Sequence, residues 1–448
     1  MRETILSDQR PYDDPARRAA LAAMKAIRGG AYANLAVQKV AQGLTPVDAG
    51  FVAELVFGTC RYLGTLDKVI ELAAGRELRT LQPGVVDVLR LGAEQVLRMR
   101  VPAHAAVSAS VSLAADQIGP RVAGVVNAIL RRVAAQTWDE WMDQAANRLG
   151  ERESLALRTA HPEWIVDAYA EVLPADELSE ALEANNRGPA PVLVVRPGLA
   201  SRDDLVAAGA EPTRYSPWGA VRSGDPADLA LVRDGRAGVQ DEGSQLVAGI
   251  VALVSAPPGP WLDMCAGPGG KTALLTGLAR RSGETVVGAD VHFHRARLVA
   301  EALRAYGHSP VLVADGRRPA WNRVFSRAVV DAPCSGLGAL RRRPEARWRK
   351  SEADLAGLAR LQTELLTAAC ASVVAGGVVA YITCSPLVVE TAEVVVSVAS
   401  TVGAEIVDAP ALLPGVPRAR AGSDDRFVQL WPHRHQTDAM FCAVLRVP

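Results

Sequence analysis

From about residue 14 to 150 the apolar positions recur every three or four residues, as in Phe51, Val52, Leu55 and Val56, and again in Val122, Val125, Val126, Ile129, Leu130 and Val133. That spacing puts one apolar stripe on each of a series of helices and predicts a helical bundle. Breaks at Gly29-Gly30, Gly43 to Pro46, Pro83-Gly84, Pro102 and Gly119-Pro120 divide it into five or six helices. Between 151 and about 240, helical stretches such as Trp164 to Val172 alternate with short β-rich runs such as Val192 to Val195, ended by Pro197-Gly198. This predicts a small α+β linker domain. Beyond 240 the pattern becomes strand, glycine turn, helix, repeated: WLDMC then AGPGGKT, TVVGAD, PVLVAD, RAVVDAPCSG and GGVVAYITCS. Such alternation predicts an α/β, Rossmann-like domain with a mostly parallel sheet covered on both faces. The expected division is therefore three domains, 1–150, 151–240 and 241–448, and ligands of the third are expected beyond the carboxyl ends of its strands.

Composition adds limits. At 448 residues the chain is long for one core, and its 49% hydrophobic and 22% charged residues exclude disorder. Lys plus Arg equals Asp plus Glu, at 49 each, so a polyanion site has to be a local patch. Six cysteines without a CxxC pair fit a reducing compartment, and the cytoplasm is the expected location. The N-terminal MRETILSDQRPYDD has no apolar core of a signal peptide, and no uninterrupted apolar run is long enough for a span, so no membrane partner is expected.

Asp263, Met264, Cys265, Ala266, Gly267, Pro268, Gly269, Gly270, Lys271 and Thr272 close a predicted strand and open a helix, where small residues let a ligand approach bare backbone N–H groups. A Walker A loop needs Gly where Cys265 stands, so a nucleotide triphosphatase is excluded despite the GKT ending. Asp290, at the end of the next strand, suits the two hydroxyls of a ribose. Asp315, at the end of the third, suits an adenine amino group or, alternatively, a helix N-cap. The combination fits an adenosine cofactor without phosphates.

Two cysteines, Cys334 in DAPCSG and Cys384 in TCSP, fall just past two strands that should border the same crevice. Lone cysteines are usually small buried hydrophobes, which is the reading for Cys60, Cys370 and Cys442. A pair at two strand ends points instead to nucleophilic chemistry. Carbon 5 of cytosine is a poor nucleophile until a thiolate adds at carbon 6, and the adduct afterwards needs a second group to assist elimination. Asp331 would hold the base edge, and Lys271 would supply the positive charge a thiolate needs. A zinc site lacks the ligand spacing, so no metal is expected.

At these residues the chain resembles the NOL1/NOP2/Sun class of RNA cytosine-5 methyltransferases, whose strand-end segments read CAAPGGKT, DAPCSG and TCS; here they read CAGPGGKT, DAPCSGLG and TCSP. Gly267 stands where alanine is commoner, a change expected to be conservative, and after TCS this chain keeps one acid, Glu390, of a usual pair. The segments LVFGTCRYLGTLD, LRLGAEQVLRM, VPAHAAV and VVNAILRRV look like the NusB-type domain of the bacterial RsmB (Sun/Fmu) group, with HPEWIV, LEANNRGPAP and PHRHQTDAMF resembling its linker and C-terminal segment. The resemblance implies Cys384 as nucleophile and Cys334 as assistant. It implies S-adenosylmethionine held by Cys265, Ala266, Gly267, Pro268, Gly269, Gly270, Lys271, Asp290, Asp315 and Asp331, and 16S ribosomal RNA as substrate. A transfer-RNA methyltransferase and a catalytically idle RNA-binding assembly protein are the alternatives. A monomer is expected.

Arg341, Arg342, Arg343, Arg347, Trp348, Arg349 and Lys350 follow directly on DAPCSGLGAL, six positive charges against the one of Glu345. At the rim of the crevice they would contact RNA phosphates, with Trp348 available for stacking.

Overall fold

A computed structural model describes residues 14–307 and 309–448; the N-terminal segment considered above for a leader lies outside them, except for Asp14. The chain divides into two units, residues 1–166 with 342–349, and residues 167–341 with 350–448.

The first unit is helical: Pro15–Arg28, Ala33–Val40, Pro46–Arg61, Leu63–Ala74, Pro83–Leu97, Ala103–Gln117, Ala123–Val133 and Trp138–Ala146, followed by Glu151–Thr159. Proline opens three of these helices, where its missing N–H costs nothing. The side chains of Asp14 and Thr45 cap two of them by accepting backbone N–H bonds. Helices outnumber the expected five or six because two boundaries, at Tyr62 and between Val133 and Trp138, carry no glycine or proline. The core is built by the predicted stripes: Val126, Ile129, Leu130 and Val133 pack with Leu66, Val69, Val88 and Leu89.

In the second unit a small antiparallel sheet has the order β2-β3-β1-β4, formed by β1 (Val192–Val195), β2 (Glu211–Pro212), β3 (Gly219–Val221) and β4 (Ala237–Val239). It belongs to the same unit as the larger sheet.

The larger sheet contains β5 (Trp261–Asp263), β6 (Val286–Asp290), β7 (Val311–Val313), β8 (Phe325–Asp331), β9 (Val373–Thr383), β10 (Glu405–Val407), β11 (Val428–Gln429) and β12 (Phe441–Arg446). Its order is β10-β12-β9-β8-β5-β6-β7, with β11 paired to β12. From β9 to β7 every pairing is parallel, and β12 is antiparallel to β9. The five expected strands thus form the parallel half. Apolar clusters cover both faces, one around Val247, Ile250, Leu274 and Val329, the other around Leu262, Val330, Leu366 and Tyr381. No helix among the described residues is long and apolar enough to cross a membrane.

Candidate active site

Chain order reverses between β5 and β8, and the loops after β5, β6, β8 and β9 leave the same edge of the sheet. Side chains from distant parts of the sequence therefore meet there.

The loop after β5 turns sharply into the helix Gly270–Arg280 through Gly269, whose φ of +105° lies in the region that favours glycine. A Cβ on Gly269 would lie 2.9 Å from the Val299 Cα and 2.7 Å from the Ala302 Cβ. Gly267 donates its N–H to the Asp290 carboxylate at 3.1 Å, and Asp290 also accepts from the His292 N–H at 2.9 Å. Arg295 donates to the Gly267 carbonyl and lies 3.5 Å from Asp290. A Cβ at Gly267 would come within 2.6 Å of Asp290 and 2.8 Å of Arg295. The expectation that glycine for alanine is neutral here is corrected: the side chain of Arg295 fills the space a methyl would need.

Asp263, at the end of β5, was not among the expected site residues. It is buried, its Oδ2 accepts from the Thr272 hydroxyl at 2.6 Å, and its Oδ1 has no hydrogen-bond partner. Burial raises its pKa to about 7, and the charges of Asp331 and Asp290 add to that against the Thr272 hydrogen bond and Lys271. Burial, and next the charge of Asp263, also keep the Cys265 thiol protonated, so Cys265 is no nucleophile.

Lys271 and Asp331 pair at 2.9 Å. Burial alone would favour loss of the Lys271 proton, but the charge and hydrogen bond of Asp331, with Cys384 and Asp263, outweigh it and hold the ammonium above its usual pKa. Asp315, just past β7, is paired with Arg317 through both carboxylate oxygens and accepts its backbone N–H, the turn-capping arrangement that competed with an adenine contact.

Because β8 and β9 are parallel neighbours with Asp331 opposite Ile382, the loops that follow them run side by side. The sulfurs of Cys334 and Cys384 lie 3.4 Å apart. Both cysteines are partly exposed. The Cys334 thiol is held protonated, first by its hydrogen bond to Cys384, then by burial and by the negative charges of Cys384 and Glu390. Cys384 is further anchored by its carbonyl, which accepts from the Gly338 N–H at 2.8 Å.

Arg347 is buried and donates to the Ala160 carbonyl at 2.8 Å. The Trp348 indole donates to the Cys60 carbonyl at 2.8 Å, its ring against Gly64, and Arg349 donates to the carbonyls of Ile27 and Ala31 beyond the first helix. These three side chains are hydrogen-bonded within the helical unit. Arg341 is likewise buried, bonded to the Thr437 carbonyl at 3.0 Å. Arg343 is exposed above the Tyr32 ring, and Arg342 and Lys350 are half-buried.

A helical unit followed by a Rossmann-like sheet, with a glycine loop and two thiols at its switch point, defines a two-part methyltransferase. Comparison with known proteins is specific on the point. The pattern of the 16S rRNA methyltransferase RsmB/F family matches residues 251–446, and that of the NusB family matches 14–135. A putative methyltransferase of Mycobacterium tuberculosis (strain ATCC 25618 / H37Rv) is 46% identical over 455 residues, covering 98% of this chain and 97% of the relative. Ribosomal RNA small subunit methyltransferase B of Serratia proteamaculans (strain 568) is 32% identical over 388 residues, 84% of this chain and 87% of its own. The crystal structure of PH0851 has the same fold, with a TM-score of 0.82 at 21% identity over 96% of this chain and 98% of that one. The chain belongs to the RsmB/F family of 16S rRNA methyltransferases.

Proposed function

We propose that the protein transfers a methyl group from S-adenosylmethionine to carbon 5 of a specific cytosine in 16S ribosomal RNA, in the cytoplasm, through a covalent adduct on Cys384. The observation that carries this reading is the 3.4 Å approach of two thiols beside the Lys271–Asp331 pair.

The cleft fits the cofactor. Asp263 offers a buried acceptor oxygen without a partner, close enough to Asp290 and Asp331 for their charges to raise its pKa. A cationic ligand relieves that arrangement. The loop Cys265 to Lys271 would hold it, with Asp290 at the ribose and Asp315 at the adenine after exchange of its exposed arginine, since surface ion pairs contribute little. When bound, S-adenosylmethionine supplies an electrophilic methyl on a sulfonium sulfur.

The chain's own residues do the rest. Lys271 stays charged and favours the Cys384 thiolate, which adds to carbon 6 of the base. As the thiolate adds, N3 takes a proton from solvent that it returns on elimination, and Asp331 accepts from this N3–H and from the amino group, which selects cytosine over uracil. Carbon 5, now enamine-like, takes the methyl. Elimination then breaks the bond between sulfur and carbon 6, and the carbon 5 proton leaves. Cys334 hands its thiol proton to the departing Cys384 sulfur, and the Cys334 thiolate so formed accepts the carbon 5 proton.

The test incubates wild type, Cys384→Ala and Cys334→Ala with methyl-labelled cofactor and unmodified 16S ribosomal RNA, followed by denaturing electrophoresis and cytosine-resolved sequencing. Cys384→Ala should lose all transfer and Cys334→Ala should accumulate a protein–RNA adduct. Absence of labelled cytosine in any RNA with wild type would refute the reading.

A further inference from the structure

Glu390 is fully buried in the short turn that follows Cys384 by six residues. Among the described residues no lysine or arginine pairs with it. Its carboxylate is instead satisfied by neutral donors from three segments. Oε1 accepts from the Ser335 backbone N–H at 2.7 Å and from Gln362 Nε2 at 3.1 Å. Oε2 accepts from the Ser335 hydroxyl at 2.5 Å and the Ser385 hydroxyl at 2.6 Å. Ser335 and Ser385 are the residues immediately after Cys334 and Cys384. Gln362 also donates to the Pro333 carbonyl at 2.9 Å, on the other side of Cys334, and the Tyr381 hydroxyl, on β9, donates to the Glu390 carbonyl at 2.7 Å.

We propose that Glu390 is a positioning residue: its carboxylate clamps the loops carrying Cys334 and Cys384, so that the two sulfurs stay within proton-transfer distance. The inference rests on the two-cysteine reading above. Hydrogen bonds to an ionised acceptor are about twice as strong as neutral ones. An uncharged amide of the same shape keeps the volume, but its NH₂ group cannot accept, so it cannot serve both hydroxyls and the Ser335 N–H as the carboxylate does. The loops are tied to each other through this group more directly than through the contact of the serine hydroxyls, which lie 3.3 Å apart. The negative charge also faces Cys334 and helps to keep its thiol protonated between turnovers.

The test uses full-length wild type, Glu390→Gln, Glu390→Asp, Ser335→Ala and Ser385→Ala. Glu390→Gln should lower kcat about 100-fold, the scale expected when reacting groups shift by about 1 Å. Cofactor affinity, measured by calorimetry, should stay within about twofold, since a 1.4 kcal/mol change would be needed for tenfold and the β5 loop is untouched. The second readout needs no RNA: iodoacetamide labelling at each cysteine, followed by mass spectrometry. In Glu390→Gln the ratio of Cys334 to Cys384 labelling should rise at least about tenfold as the negative charge and the clamp are lost, and Glu390→Asp should restore part of it. An unchanged labelling ratio in folded Glu390→Gln, whatever happens to its melting temperature, overturns the proposal by reducing Glu390 to a structural role. Should Glu390→Gln not fold, the two serine variants decide on the same ratio. If wild type methylates no cytosine, the proposed function fails, while the labelling ratio still judges the clamp.

Discussion

Asp263→Asn should stabilise the protein above neutral pH, in a manner that isolates one titration. The wild-type carboxyl has its pKa raised from 3.8 to about 7, chiefly by burial. Between those values the unfolded state has lost the proton and the folded state keeps it. Folding stability therefore falls as pH rises, by about 1.4 kcal/mol per unit, and the loss is complete once pH exceeds the folded pKa. Over this interval the total is about 4 kcal/mol. Asparagine has nearly the same shape, can accept the Thr272 hydroxyl, and does not ionise. The stability difference between variant and wild type should grow steadily from about pH 4, level off just above pH 7, and be absent from the slope outside that window. Urea denaturation at half-unit steps from pH 4 to 9 measures it, and titrations common to both proteins cancel in the difference. Calorimetry adds a second face: wild-type affinity for S-adenosylmethionine should increase as Asp263 ionises, whereas the variant should bind more weakly and without that pH dependence. Parallel stability curves across the whole range would refute the claim that Asp263 is held protonated in the folded cleft.

Lys271→Met removes the cation beside Asp331 and Cys384; kcat at pH 7 should fall about 10- to 100-fold as the charge that favours the thiolate is lost, with partial recovery toward pH 9. A pH profile parallel to wild type would exclude that role. Gly269→Ala puts a methyl within 2.9 Å of the Val299 backbone at a φ of +105° and should weaken cofactor binding at least about tenfold in calorimetry, equivalent to 1.4 kcal/mol. Trp348→Ala should lower stability by about 3 kcal/mol by removing the indole and its bond to the Cys60 carbonyl. Gly64→Ala should cost about 1–3 kcal/mol by pushing on the same ring, which thermal melting of both variants checks.

The parallel half of the large sheet was legible because each of its strands is announced locally, by a Val/Ala run ending in a turn. Two such runs end in DAPC and TCS, and the parallel pairing of β8 with β9 brings them together. Pairings between distant segments have no such local sign. β12 lies between β9 and β10 although 57 residues of chain separate its first residue from the end of β9, as 383 to 441 in the numbering shows. The roles of Asp263 and Glu390 were hidden for the same reason. An acid in a sequence reads as a solvated charge or a cap; only the fold reveals that one lacks a partner for an oxygen and that the other gathers donors from three segments.

The packing of the basic run was hidden for a different reason. Counting six positive charges treats arginine as a charge alone, whereas the planar guanidinium is also a set of five donors on an apolar stem. Carbonyls left unpaired at the end of a helix are natural acceptors for those donors, and the last turn of a helix attracts cations. The Trp348 indole meets that demand at Cys60 and Arg347 at Ala160, while Arg349 bonds the Ala31 carbonyl past the first helix and adds a second donor to the Ile27 carbonyl, which already accepts from the Gly30 N–H. Removing any of these side chains would leave a carbonyl without that partner. A contribution of this run to RNA binding is tested by substitutions at exposed and at buried positions. Arg343→Ala is the sharper probe: at Arg343, loss of RNA affinity without loss of stability would assign a phosphate contact, and the slope of log affinity against log salt should fall by about one. At Arg347, by contrast, any loss of affinity should be accompanied by a lower melting temperature.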